Sequence, residues 1–343
     1  MAIRGKDRLL LLALAAALLA VLAAGCGGGG ETTAAATTEA PAATTEAPPA
    51  TTGAAAAGLS GTIEADGSST VGPLTTAAAE AFGAEYPDVQ VTVGISGTGG
   101  GFERFCAGET DISDASRPIK DEEAAICADA GIEYIEIPVA VDALTVVVNP
   151  ENDWAACLTV DQLETIWEPA AEGQVTNWNQ VDPSFPDQSL ALAGAGTDSG
   201  TFDYFTDAIV GEEGASRADY TASEDDNVTV QAVAGDKGAL GYFGFSYFEE
   251  NQNTLRAVEI DGGAGCVAPS PETAQDGTYT PLSRPLFIYV KKESFQRPEV
   301  QEFVKYYLDN IDAIAGAALF IPPTQEERDA AQATVDAAIA EAG

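Results

Sequence analysis

The stretch VQVTVGISGTGGGF, at residues 89–102, decides the fold. Its first half, Val89–Val93, alternates apolar and polar residues with the period of a strand that is buried on one face. Small residues fill the run 96–101, and Phe102 begins a segment with the composition of a helix. The order strand, small-residue joint and helix predicts one βα unit of an α/β fold.

The same order recurs on both sides of this stretch. The strand-like run 62–65 leads to a helix that Pro73 opens, and the run 190–193 leads to a helix over 202–210. Further strands are predicted over 132–137, 143–148 and 286–290. This rhythm predicts an α/β fold with a largely parallel or mixed sheet over the body of the chain, 60–343.

Residues 1–25 have the composition of a secretory signal peptide. Basic residues at positions 4, 6 and 8 precede the apolar run 9–21, and LAAGC at 22–26 has the small residues of a lipobox. The apolar run is shorter than the roughly 20 residues of a spanning helix, which disfavours a transmembrane anchor. We therefore expect Cys26 to carry a lipid that holds the protein outside the cytoplasm, in the periplasm or on the outer face of the cell membrane.

The segment 26–59 is almost entirely Gly, Ala, Thr, Glu and Pro, with the near-repeat TTEAPAATTEAPPATT. Such a composition cannot bury enough apolar surface to offset the entropy of ordering the chain. It predicts a disordered tether between the lipid and the folded body.

Charge and composition exclude several functions. The formal net charge of −39 disfavours nucleic-acid binding, because there is no basic patch that could release counterions. The chain has no histidine, which excludes a Ser-His-Asp triad and a histidine-bearing zinc site. We expect neither a metal nor a cofactor.

The body contains four cysteines, namely Cys106, Cys127, Cys157 and Cys266. An extracytoplasmic location permits disulfides, and four cysteines allow three connectivities. Four buried thiols are the alternative.

Four joints between predicted elements share one composition, at 66–70, 96–101, 114–117 and 194–201. Each places hydroxyls or glycines before a helix, whose N-terminus carries unpaired N–H groups and partial positive charge that bind anions. Ordinary N-capping explains any one joint, but four in one chain indicate a shared anion site. Arg117 adds a guanidinium that suits an oxyanion, with a surface ion pair as the alternative.

Motifs of phosphate-cleaving enzymes are missing. The chain has neither the G-x-x-x-x-G-K-[ST] loop nor a G-x-S-x-G elbow. No lysine or histidine lies near the hydroxyls to activate Ser69 or Ser199 as a nucleophile. These joints are typical of a protein that holds an anion, and we expect no enzymatic activity.

Six motifs carry a resemblance that covers nearly all of 60–325: GSSTV (67–71), GISGTGGGF (94–102), DISDASRPI (111–119), GTDSGTFDYF (196–205), GALGYFGF (238–245) and PLSRPLFIYVKK (281–292). Together they resemble the phosphate-binding proteins of bacterial phosphate ABC transporters. The resemblance implies the type II periplasmic-binding-protein fold, an α/β fold of two lobes with a hinge of two crossing segments and phosphate in the cleft between the lobes.

The resemblance also implies lobe boundaries. The crossings fall near 141–144 and 283–286, so lobe one is 60–142 plus 286–343 and lobe two is 143–285. The pairings Cys106–Cys127 and Cys157–Cys266 then each stay within one lobe. The other connectivities would link the lobes and hinder hinge motion.

The family's motifs imply the residues that hold phosphate. These are Thr70, Val71, Gly97, Thr98, Ser199, Gly200 and Thr201, and the composition of the joints adds Ser69, Ser116, Arg117 and Asp198 to the predicted phosphate-binding set. The chain departs from the family in two places, since family members carry an aspartate about where Arg117 stands and an arginine near the Ser-Gly-Thr loop. We therefore expect Arg117 to supply the cation and Asp198 to accept the phosphate proton, with Asp114 in reserve.

The function implied is that of a lipid-anchored, monomeric receptor that binds inorganic phosphate and delivers it to an ABC permease. One alternative is a receptor of the same fold for another oxyanion, such as sulfate. Alternatives from other classes are a phosphate-ester hydrolase and a surface adhesin.

Overall fold

The computed structural model describes residues 58–343. The predicted signal peptide, the lipidation site at Cys26 and the tether up to residue 57 lie outside the described residues. Within 58–343, no helix combines the length and the apolar character needed to cross a membrane.

Strands and helices alternate along the chain, as the sequence predicts. The strands are β1 (Gly61–Gly67), β2 (Val89–Ile95), β3 (Ile112–Ala115), β4 (Tyr134–Val148), β5 (Cys157–Thr159), β6 (Ala191–Ala195), β7 (Thr221–Ser223), β8 (Ala239–Gly244), β9 (Arg256–Ala257), β10 (Glu259–Asp261), β11 (Cys266–Val267) and β12 (Ser283–Lys291). The α-helices are α1 (Gly72–Glu85), α2 (Gly97–Cys106), α3 (Asp121–Asp129), α4 (Val160–Trp167), α5 (Trp178–Val181), α6 (Gly200–Val210), α7 (Asp226–Gly235), α8 (Phe245–Asn251), α9 (Pro271–Gln275), α10 (Pro298–Asp309), α11 (Ile311–Ala317) and α12 (Gln325–Ala342).

A nine-stranded mixed sheet runs through the body in the order β2-β1-β3-β12-β4-β8-β6-β7, with β9 beside β4. Strands β1, β2 and β3 are parallel, as are β6, β7 and β8, whereas β12 and β4 are antiparallel to their neighbours. The parallel neighbours are joined through helices, because a parallel pair of strands needs a crossover connection. A separate three-stranded sheet has the order β11-β10-β5.

Two large hydrophobic cores flank the central strands. The first packs α1, α10 and α12 against β1 and β4, around side chains such as Phe82 and Phe303. The second surrounds Trp167, Phe205 and Tyr242, whose rings stack face to face or edge to face. Burial of this apolar surface holds each half of the sheet to its helices.

Strand β4 contributes to both cores, because residues from Ile135 to Ala140 supply the first and residues from Leu144 to Val148 supply the second on the same strand. The sequence predicted two strands here, over 132–137 and 143–148. That prediction is wrong in this detail, because the structure has one strand over the whole range Tyr134–Val148. Pro138 lies inside this strand. It pairs with Phe287 where the register of β12 shifts by a bulge, and a bulge is a usual place for a residue without an N–H in a sheet.

The two predicted crossing segments lie in β4 and β12 and pair with each other. Asp142 stands opposite Arg284, and Ala143 stands opposite Ser283. The lobe boundaries that the resemblance implies stay a prediction, but the register fixes which side chains of the crossings are neighbours.

Both favoured disulfides are present. Cys106–Cys127 joins α2 to α3, and Cys157–Cys266 joins β5 to β11. Cys106 and Cys127 lie in a smaller cluster with Phe102 and Tyr289, and Cys157 and Cys266 lie on two strands of the three-stranded sheet, so neither bond ties the two halves of the large sheet together.

Candidate functional site

A cavity of about 640 Å³ lies where three helices begin. Its walls contain residues from the joints before α1, α2 and α6, from the end of β3 and from the start of β12. The lining residues are Ser68, Ser69, Thr70, Gly97, Thr98, Gly99, Ser116, Arg117, Pro118, Lys120, Gly200, Asp203, Tyr204, Asp207, Glu213, Thr280, Pro281, Ser283, Arg284 and Pro285. Three helix N-termini facing one cavity make it a site for an anion.

The loop before α1 is shaped by Ser68, which the sequence did not single out. The buried Ser68 Oγ accepts the backbone N–H of Thr70 at 3.1 Å and that of Val71 at 3.4 Å. Ser69 and Thr70 line the cavity, whereas the Val71 side chain belongs to the first core. Ser69 and Thr70 therefore contribute to the wall of the cavity, and Ser68 holds the loop in shape.

The loop before α2 meets the end of β3. Gly97 has a positive φ of 78°, which suits glycine, and it starts the helix. Thr98 Oγ1 lies 3.0 Å from Ser116 Oγ and accepts the backbone N–H of Ser116 at 3.2 Å. Gly97, Thr98 and Ser116 all line the cavity, so the structure brings these three predicted residues together.

The loop before α6 contributes mainly through Gly200. Ser199 is the N-cap of α6, and its Oγ accepts the N–H of Thr201 at 3.1 Å. Gly200 lines the cavity, and a Cβ placed on it would stand 3.0 Å from Thr70 Oγ1. Ser199 and Thr201 are absent from the lining, so they serve the helix terminus that Gly200 presents to the cavity.

Asp198 does not take part in the cavity. It is exposed, and its backbone N–H donates to Glu224 Oε1 at 3.3 Å. The position of Asp198 therefore gives no support to the expectation that its carboxylate accepts the phosphate proton. Asp114, the reserve, is wholly buried behind the loop before α1 and also does not line the cavity.

Arg117 lines the cavity but is already engaged. Its two terminal nitrogens donate to the two carboxylate oxygens of Glu123, at 2.8 and 2.7 Å. The guanidinium also lies 5.7 Å from the ring centroid of Phe102, and the side chain is 30% exposed. Arg117 therefore faces the cavity from a wall where a carboxylate neutralises it.

Arg284 is a candidate site residue that sequence reasoning missed. Its Nε and Nη2 donate to Asp142 Oδ2 at 3.2 and 3.1 Å, and Nη2 also donates to Thr70 Oγ1 at 3.1 Å. The guanidinium lies 3.8 Å from the ring centroid of Tyr204, a cation–π distance. The side chain is only 19% exposed, and Nη1 has no hydrogen-bond partner in the described part of the chain.

Asp142 fixes the direction of this guanidinium. The carboxylate is buried, which raises its pKa, and the charge of Arg284 opposes that rise. Because Asp142 accepts from the Nε and Nη2 side of the guanidinium, Nη1 stays available as a donor on a side chain that lines the cavity.

Three carboxylates line the wall that α6 and the following loop provide, namely Asp203, Asp207 and Glu213. Asp203 is one turn into α6, and partial burial raises its pKa while Arg284 lowers it. The cavity thus contains cationic and carboxylate groups together, and an anion that can also donate a proton suits such a set.

Comparison with known proteins shows the family of the chain. A model of the PBP superfamily domain matches residues 36–310. The protein SphX of Synechocystis sp. (strain ATCC 27184) is 52% identical over 268 residues, which are 78% of this chain and 80% of SphX. The phosphate-binding protein PstS of Staphylococcus saprophyticus is 37% identical over 278 residues, which are 80% of this chain and 85% of PstS.

A solved structure gives the same result. The crystal structure of "a possible phosphate binding protein from Planctomyces limnophilus DSM 3776" is 47% identical, with a TM-score of 0.78, and the match covers 82% of this chain and 99% of that one. The type II periplasmic-binding-protein fold predicted from the sequence is thereby confirmed. The chain belongs to the PBP superfamily, in the family that contains SphX and the phosphate-binding proteins PstS.

Proposed function

We propose that this protein is an extracytoplasmic receptor that binds inorganic phosphate in the cavity and delivers it to an ABC permease. The observation that carries the proposal is the convergence of three helix N-termini on a cavity that also holds Arg284. The relatives named as phosphate-binding proteins support phosphate as the ligand. The net charge of −39 repels anions in general, so binding depends on these local donors.

Arg284 is the cation of the proposed site. Its guanidinium is shielded from solvent, so a charge-assisted hydrogen bond to phosphate is stronger there than on the surface. Asp142 and Tyr204 hold it in one orientation before the ligand arrives. A pre-organised donor loses little entropy on binding, which favours affinity.

Asp203 is the proposed acceptor of the phosphate proton, in place of Asp198. At neutral pH phosphate keeps a proton that it can donate, and sulfate does not. A carboxylate in the cavity therefore accepts from phosphate and repels sulfate. Asp203 lines the cavity beside Arg284, whereas Asp198 lies outside it.

The Asp203 proposal is tested by Asp203→Asn, with Asp198→Asn as the matched control. A hydrogen bond to a charged group contributes roughly 1.5–3 kcal/mol, so Asp203→Asn should narrow the preference for phosphate over sulfate by about 10- to 100-fold. The control should keep the wild-type preference. A wild-type preference in Asp203→Asn would assign the acceptor role to another group.

The receptor itself is tested by calorimetric titration of the full-length protein, after an enzymatic phosphate trap has removed bound phosphate. We expect one phosphate per chain and at least 100-fold weaker binding of sulfate, of the order that one rejected hydrogen bond gives. Saturable heat with sulfate alone would favour the other oxyanion. Incubation with a chromogenic phosphate ester should release no chromophore, and turnover would favour a hydrolase.

Lipid anchoring and a monomeric state belong to the same proposal. The lipobox at 22–26 and the tether composition support an anchor on Cys26. Labelled palmitate should enter the wild-type protein and not Cys26→Ser, and the Cys26→Ser protein should elute as a monomer on a sizing column. Labelling of Cys26→Ser would show that the lipid is attached elsewhere.

A further inference from the structure

The buried carboxyl group of Asp114 lies directly behind the loop 68–70, which lines the cavity. Asp114 is on β3, where it pairs in register with Gly67 of β1. Its backbone oxygen accepts the N–H of Ser68 at 2.9 Å, and its side chain has no solvent exposure. Asp114 is therefore linked through Ser68 to the loop 68–70, which faces the ligand.

The carboxyl of Asp114 is only half satisfied. Oδ1 accepts the hydroxyl of Thr75 at 2.7 Å, and that hydroxyl lies 3.5 Å from the hydroxyl of Tyr307 on α10. Oδ2 is buried and has no hydrogen-bond partner in the described part of the chain. A lone buried oxygen of this kind favours the protonated acid over the carboxylate.

The charges around Asp114 also favour its protonated form. Asp66 of β1 is a second buried carboxylate, with one oxygen bound to Arg104 of α2 and the other without a partner. From β12 the residue opposite Asp114 is the apolar Ile288. Burial and the charge of Asp66 raise the pKa of Asp114 to about 7, although Thr75 lowers it.

Asp114 and the ligand depend on the same helix. Thr75, which donates to Asp114, is in the first turn of α1, and the loop that leads into α1 lines the cavity. The partial positive charge of a helix N-terminus stabilises one negative charge, and a second negative charge nearby costs free energy. An anion in the cavity therefore makes it harder for Asp114 to lose its proton.

We propose that anion binding in the cavity is linked to a proton on Asp114, so that the receptor binds phosphate more tightly when Asp114 is protonated. This inference rests on the proposed phosphate site. Linkage is reciprocal, so phosphate also promotes proton uptake by Asp114. The receptor would then hold phosphate firmly in mildly acidic surroundings and less firmly as the pH rises.

The test is calorimetric titration of the full-length protein with phosphate at pH 7.5, in two buffers of different ionisation enthalpy. The wild-type protein should take up roughly half a proton more per phosphate than Asp114→Asn, whose neutral amide has the same shape. Subtracting the variant removes the protons that phosphate itself exchanges. Asp129→Asn, an exposed acid on α3, should match the wild type.

The affinity should show the same linkage. Between pH 6 and 9 the wild-type protein should lose up to about tenfold more affinity than Asp114→Asn. Equal proton counts and parallel affinity profiles, in two proteins that both bind phosphate, would overturn the linkage and leave the proposed function intact. A wild-type protein that binds no phosphate would instead overturn the proposed function.

A second variant covers the case in which Asp114→Asn does not fold. Thr75→Val removes the donor to Asp114 and keeps the shape of the side chain. Because that hydrogen bond stabilises the carboxylate, its loss should move the midpoint of proton uptake to higher pH. An unchanged midpoint would overturn the linkage.

Discussion

The donors of the proposed phosphate site come mainly from two kinds of region. The joints before α1, α2 and α6 offer backbone N–H groups and hydroxyls, spread over several loops. The crossing strands β4 and β12 offer a single guanidinium, Arg284, that Asp142 orients across the sheet register. The joints thus provide many weak donors, whereas the crossing strands provide one strong and shielded charge. Loss of a single joint donor can be compensated by the other donors, but loss of the Arg284 charge cannot.

The largest loss of phosphate affinity is expected for Arg284→Met, which removes the charge that the crossing strands provide. Truncating a buried, hydrogen-bonded charge typically costs roughly 2–5 kcal/mol, so phosphate should bind about 30- to 4,000-fold more weakly by calorimetry. The variant also leaves Asp142 buried without its partner, which lowers thermal stability. The double variant with Asp142→Asn should recover thermal stability but not binding, and recovery of both would remove Arg284 from the site.

A smaller effect is expected at the joint before α6. In Gly200→Ala the new Cβ stands 3.0 Å from Thr70 Oγ1, in the space between two joints, so phosphate affinity should fall about 10- to 100-fold. Gly83→Ala is the control, because Gly83 is inside α1 with nothing within 4 Å. The control should bind normally and gain up to about 1 kcal/mol of stability. Unchanged phosphate affinity in Gly200→Ala would show that the space between Gly200 and Thr70 is not needed for binding.

Arg117→Ala should have a smaller effect on affinity than either of these. Its guanidinium already binds Glu123 and is 30% exposed, so we expect less than a tenfold loss of phosphate affinity by calorimetry. The comparison would be reversed if Arg117→Ala abolished binding while Arg284→Met retained it. That outcome would place the site cation at the end of β3, where the sequence predicted it.

The last prediction concerns the free energy of unfolding and its pH dependence, which Asp114 affects behind the joint before α1. The pKa of Asp114 is raised to about 7 in the folded protein from an ordinary value of 3.8, so its stabilising contribution is present at low pH and disappears as the pH rises through 7. Asp114→Asn should flatten this dependence and be more stable than the wild type at pH 8, by roughly 1–3 kcal/mol. Denaturant titrations at pH 5 and pH 8 measure it, and parallel losses in both proteins would contradict it.

Sequence reasoning found the joints because their signal is local. Glycine, serine and threonine before a helix predict exposed N–H groups from a few consecutive residues, and Ser69, Thr70, Gly97, Thr98 and Gly200 all line the cavity. The same local signal cannot distinguish a residue that lines the binding cavity from one that only caps the helix. Ser199 and Asp198 lie beside Gly200 in the sequence, yet neither lines the cavity.

Arg284 escaped because its role depends on contacts between distant parts of the chain. It stands inside the motif PLSRPLFIYVKK, but its value follows from the register that places it opposite Asp142, 142 positions earlier. Register is set by strand pairing over a whole sheet, and no short pattern reveals it. The joint at 114–117 was expected to lead directly into a helix, but α3 begins only at Asp121, and Arg117 donates to Glu123 of that helix.

Strand β4 has a consequence for how the protein unfolds. Its 15 residues supply Ile137 to the first core and Val146 to the second, on one continuous backbone. Fraying either core frees part of a strand on which the other core also depends, so the two halves share their cooperativity. Although residues 58–343 form two large cores, differential scanning calorimetry should record one transition for them.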